Sequence, residues 1–71
     1  MSSNVYSKSE IVGTSTTGID DAISTAIARA SSTLHGLDWF EVTEIRGHIE
    51  GGSVAHYQVT LKVGFRLDDP S

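Results

Sequence analysis

Seventy-one residues carry nine acids, five Lys or Arg, three His and no cysteine, for a net charge of -4. That balance excludes disulfides and thiolate metal sites, and it argues against nucleic acid or an anionic membrane as partner, since both reward a basic surface. A chain this short buries only about 60% of the surface its unfolded form exposes, so a single domain over 1–71 needs further support, and without cysteine that support is oligomerisation.

Met1-Ser2-Ser3-Asn4-Val5-Tyr6-Ser7-Lys8 lacks the basic and then apolar pattern of a secretory leader. No apolar run approaches the roughly 20 residues that span a bilayer. With the absence of cysteine, these features lead us to expect a cytoplasmic protein. A large homo-oligomer would multiply the negative charge and keep it on solvated faces.

In chain order, residues 5–12 read as a first strand, closed by Gly13. The loop 13–18 lacks the lysine of a P-loop and the glycine spacing of a dinucleotide fold, so helix capping explains it, with Thr16 or Thr17 as the cap. A helix follows. Ile19, Ala22, Ile23, Ala26, Ile27, Ala30 and Leu34 recur at three- and four-residue spacing and draw one apolar stripe. Asp20 and Asp21 suit its positive end, Arg29 and His35 its second half, and Gly36 is a natural stop.

The remaining residues form a hairpin around Glu50-Gly51-Gly52-Ser53. On its second strand, Ala55, Tyr57, Val59, Leu61, Val63, Phe65 and Leu67 share one face, while His56, Gln58, Thr60, Lys62, Gly64 and Arg66 share the other. The odd face must meet the helix stripe. On the first strand of the hairpin, Ile45 and Ile49 face the core, so Arg46 and His48 face outward. A three-residue loop, 51–53, with Glu50 opposite Val54 satisfies this parity and pairs Arg46 with Gln58 and His48 with His56. Before Ile45 the parity changes. Phe40 and Val42 are the inward residues there, and a bulge near Thr43-Glu44 reconciles the two halves. Trp39, the only tryptophan, then lies on the same outer face as Arg46 and Gln58.

An outward indole is either a subunit-interface residue or a stacking platform for a flat ligand, where each ring is worth on the order of 1–3 kcal/mol; a core position is the alternative to both. Gln58 offers a donor and an acceptor from one amide, matching the edge of a pyrimidine-like ring, or else is a solvated strand residue. Arg46 stacks on a ring, forks onto a phosphate, or simply partners Gln58 across the strands. His48 and His56 are too few for a metal site and read as solvated histidines. No nucleophile, base or acid falls in a recognised catalytic signature.

Ile11-Val12-Gly13-Thr14-Ser15, Leu37-Asp38-Trp39-Phe40-Glu41-Val42, Ile45-Arg46-Gly47 and the run from Tyr57 to Leu67 together resemble the dodecins, over nearly the whole chain. The resemblance implies an α+β fold, β-α-β-β, with a three-stranded antiparallel sheet partly wrapping one helix, assembled into a hollow homododecamer. It implies a non-enzymatic protein that stores, sequesters and photoprotects flavin. In that family two flavins lie between two tryptophans of neighbouring subunits. Trp39 takes the stacking role, Gln58 the hydrogen bonds to the pyrimidine edge, and Arg46 marks the bacterial branch, whose members prefer FMN, with riboflavin and FAD left open as the flavin. Tyr6, Arg29 and Arg66 correspond to a coenzyme A site found in some members, with Lys8 adding charge there. The sequence leaves two other readings open: a flavin-dependent redox enzyme, and a structural oligomeric module without ligand.

Overall fold

Alternation of branched and polar residues makes the last strand the centre of the molecule. The computed structural model describes residues 3–68, so the outermost residues of the 1–71 domain lie outside the described part. Four elements follow in order: β1 (Tyr6–Ser15), α1 (Ile19–Ser31), β2 (Leu37–Glu50) and β3 (Ser53–Arg66). The sheet order is β1-β3-β2, and both pairings are antiparallel. This is the expected β-α-β-β fold with one helix on one face of the sheet.

The core is narrow. Val59, Leu61 and Val63 of β3 are buried against Ala22 and Ala26 of α1, and Ile11, Ile19, Ile23, Ile27, Leu34 and Leu37 pack around them. The alanines let the helix come close. At Gly13 it comes closer still, since a Cβ there would stand 2.2 Å from the Ala22 carbonyl oxygen. Gly13 therefore does not end β1. The strand runs on to Ser15, three residues beyond the expected end, because the missing side chain makes room for the helix.

Three other expectations are corrected. Neither Thr16 nor Thr17 caps α1 with its side chain: Gly18 holds the N-cap position. The Ser15 hydroxyl instead braces the loop ahead of the helix, accepting from the Thr17 N–H at 3.0 Å and tying that loop to the first turn by donating to Asp21 at 2.7 Å. The helix ends at Ser31, so Leu34 and His35 lie beyond it. The hydroxyls of Ser31, Ser32 and Thr33 donate to the carbonyls of Ala28, Arg29 and Ala30, which offers the backbone an alternative to another helical turn. The hairpin loop has two residues, Gly51 and Gly52, with φ of 57° and 80° and Glu50 opposite Ser53. Positive φ at both central positions is the twist that a two-residue hairpin demands. Parity is restored by a register shift between His48 and Ile49, which leaves Ala55 unpaired, so Arg46 still faces Gln58 and His48 still faces His56. The shift between Val42 and Glu44 is the anticipated bulge at Thr43.

The helix packs mainly on β1 and β3, and from β2 Leu37 joins that core. The helix-side face of β2 is left bare: Phe40, Val42, Ile45 and Ile49 are exposed. The chain is 58 Å long with a radius of gyration of 15.1 Å, where a compact domain of this length has about 11 Å. Its surface of 5111 Å² exceeds the roughly 4,300 Å² expected for a compact monomer of this mass. The β2–β3 hairpin extends past the helix, and the apolar residues on this face of β2 are only partly covered.

Candidate functional site

Trp39 stands opposite Gly64 in the β2–β3 ladder, while its sequence neighbour Phe40 stands opposite the buried Val63. The indole therefore lies on the face turned away from α1, and it is 41% exposed. Gly64 sets its pose. A Cβ at 64 would lie 2.3 to 2.4 Å from three consecutive atoms of the six-membered ring. Near-equal distances to three consecutive atoms place the backbone under the face of the ring, not beside its edge. One face of the indole thus rests on Gly64, and the other is available for stacking.

Two further features share this face with the ring. Tyr6 approaches it at 5.2 Å between centroids with an interplanar angle of 66°. Lys8, opposite Gly64 on β1, reaches across the glycine to Glu41 on β2, with Nζ donating to Oε1 at 2.6 Å. The ammonium's hydrogen bond and charge hold the Glu41 carboxyl below its ordinary pKa. The pair is formed above that lowered value and lost as pH falls through it. Both side chains are half exposed, so the pair adds little to stability.

Arg46 and Gln58 are directly opposed on the same outer face, with His48 and His56 on the next rung. The two imidazoles stack at 5.6 Å between centroids. Arg46 Nη1 lies 3.8 Å from Glu44 Oε1, a loose and exposed contact that leaves the guanidinium free for a ligand. Among the described residues no cluster of three or more His, Asp or Glu is arranged to hold a metal ion.

The structure divides the expected site. Trp39, Arg46 and Gln58 share a face, but they are not neighbours within one chain. Gly64, beneath Trp39, and Gln58 are six residues apart on β3, roughly 20 Å along the strand. A single flat ring cannot reach both from one subunit. The expected coenzyme A residues divide as well. Tyr6 and Arg66 are an opposed pair beside Trp39. Arg29 lies on α1, lining a groove of about 630 Å³ between α1 and β1 on the other side of the sheet.

Gly64 and the aromatic contact from Tyr6 went unnoticed in the sequence. An isolated glycine inside a strand of branched residues does signal close approach of another group. The identity of that group depended on register, which alternation along one strand does not reveal.

The Dodecin family model matches residues 5–68. A curated dodecin from Thermus thermophilus is 58% identical over 65 residues, which cover 92% of this chain and 94% of that protein. Among solved structures, the dodecin from Streptomyces davaonensis is 59% identical, covers 96% of this chain and 100% of its own, and superimposes with a TM-score of 0.89. The dodecin from Streptomyces coelicolor is 57% identical, covers 99% of this chain and 100% of its own, and gives a TM-score of 0.90.

Proposed function

This chain belongs to the dodecin family, and on that premise we propose that it binds and stores flavin, FMN in particular, at an interface between copies of itself. The observation that carries this reading is Trp39, turned away from its own core with one face seated on Gly64 and the other open. Flavin stacks on the open face. Gln58 supplies a donor and an acceptor to the pyrimidine edge, and Arg46, on the same rung, takes the phosphate. Because Trp39 and Gln58 sit roughly 20 Å apart along one sheet, the two that serve one ring come from different copies. The bare apolar face of β2 supports the same assembly, which we take to be the homododecamer.

Stacking against an electron-rich indole quenches the excited flavin, so storage and photoprotection follow from one contact. A ring covered on both faces offers no surface to a hydride donor, which favours sequestration over redox turnover. Coenzyme A is a second ligand of this reading, with Tyr6 and Arg66 from one copy and Arg29 from another.

The test is a titration of FMN with the purified assembly, read by loss of flavin fluorescence. Saturable quenching is expected. Gln58→Ala should weaken binding by about 1–3 kcal/mol, the cost of leaving buried polar atoms of the ring unpaired. An unchanged affinity would remove Gln58 from the site, and a protein that ignores FMN would leave a purely structural module.

A further inference from the structure

Trp39 follows a place where its strand is irregular. The ladder shifts between Leu37 and Trp39, leaving Asp38 without a partner. A bulge loosens the pairing that fixes side-chain direction, and the indole is 41% exposed. Gly64 supports the ring from below but does not stop it from swinging sideways.

Tyr6 does. Its ring meets the indole at 5.2 Å and 66°, an edge-to-face arrangement whose energy depends on angle. Its backbone is held on both sides. Tyr6 is the first residue of β1, opposite Arg66, and just beyond this rung the Leu67 N–H donates to the Val5 carbonyl at 2.8 Å. The Arg66 N–H in turn donates at 3.1 Å to the Gly36 carbonyl, at the turn that leads into β2. Start of β1, end of β3 and approach to β2 are thus tied together around the indole. Two residues further along β2, on the same face as the indole, Glu41 is tied to Lys8 of β1.

We propose that Tyr6 is a positioning residue of the stacking platform: its ring pre-sets the Trp39 indole flat on Gly64 before any ligand arrives. The consequence for affinity rests on the flavin reading above; the consequence for the indole does not. Ordering a free side chain on binding weakens association by about two- to tenfold per group, and a pre-set ring avoids that loss. The contact is ring on ring, so the phenol hydroxyl is dispensable and the aromatic ring is not. This role is separate from any contact of Tyr6 with coenzyme A.

Tyr6→Ala, Tyr6→Leu and Tyr6→Phe assemblies are compared with the parent in two measurements. Near-UV circular dichroism of the ligand-free protein reports the asymmetry around its single tryptophan, and FMN titration reports affinity. The expected result is loss of most of the indole band in Tyr6→Ala and Tyr6→Leu, about three- to tenfold weaker FMN binding in both, and recovery of both signals in Tyr6→Phe. Tyr6→Leu keeps apolar bulk at the strand end and stands in if the alanine variant does not fold. A parental indole band in either truncated variant overturns the proposal, whatever FMN does. So does a lost band with unchanged FMN affinity, or failure of Tyr6→Phe to recover. If the parent itself ignores FMN, the flavin reading fails, and the ligand-free spectra still decide whether Tyr6 sets the indole.

Discussion

Trp39→Ala should leave the assembly at its parental mass and weaken FMN binding by ten- to a hundredfold or more. Stacking on an aromatic side chain contributes on the order of 1–3 kcal/mol per ring, and each 1.4 kcal/mol is tenfold in affinity. If two flavins share one sandwich, removing its outer layer exposes both. The fold should tolerate the change, because the indole packs on the outer face over Gly64 and against Tyr6 and takes no part in the cluster of Val59, Leu61 and Val63. Flavin fluorescence titration checks the affinity, and light scattering checks the mass. Affinity within twofold of the parent, at parental mass, would remove the indole from the site.

Ile45→Glu should have the opposite signature: the assembly itself fails, and flavin binding goes with it. Ile45 is 54% exposed on the helix-side face of β2, between Val42 and Ile49, although it stands opposite the fully buried Val59. Within one subunit a glutamate there would be solvated and nearly harmless. Between subunits it would be an unpaired charge in an apolar interface, which costs several kcal/mol even after relaxation. Closed symmetry repeats that cost at every equivalent contact. Sedimentation should show particles near the single-chain mass of 7.6 kDa. Parental mass for Ile45→Glu would mean that another surface joins the copies.

Much of this architecture was legible in the residues. The clean alternation from Ala55 to Leu67 admits only one inward face, and the stripe from Ile19 to Leu34 admits only one helix to cover it. The change of parity between Val42 and Ile45 on the middle strand called for the bulge near Thr43, and keeping Ile45 and Ile49 inward called for the rungs Arg46–Gln58 and His48–His56, which survive the shorter loop. What stayed hidden has physical causes. A two-residue turn with a later bulge and a three-residue loop use the same glycines, so composition at 51–53 does not separate them. The helix end at Ser31 was decided by hydroxyls that compete for backbone carbonyls, while Leu34 kept the apolar spacing going after the helix had stopped. Strand order, β1-β3-β2, decides which apolar face the helix leaves bare, and no single-strand pattern carries it.

The candidate site was legible as a face but not as a distance. Alternation placed Trp39 and Gln58 on one side of the sheet. Only the register places them roughly 20 Å apart along it, which is why the proposed flavin site takes its tryptophan and its glutamine from separate copies.

Mixed assemblies test that division most directly. Trp39→Ala and Gln58→Ala chains, each binding FMN more weakly than the parent, are unfolded together, refolded as one population and titrated with FMN. A site built across copies can draw its tryptophan from one variant and its glutamine from the other, so a fraction of sites with parental affinity should return. A site built within one chain is damaged in every copy, and a mixture no tighter than its two components would contradict the account.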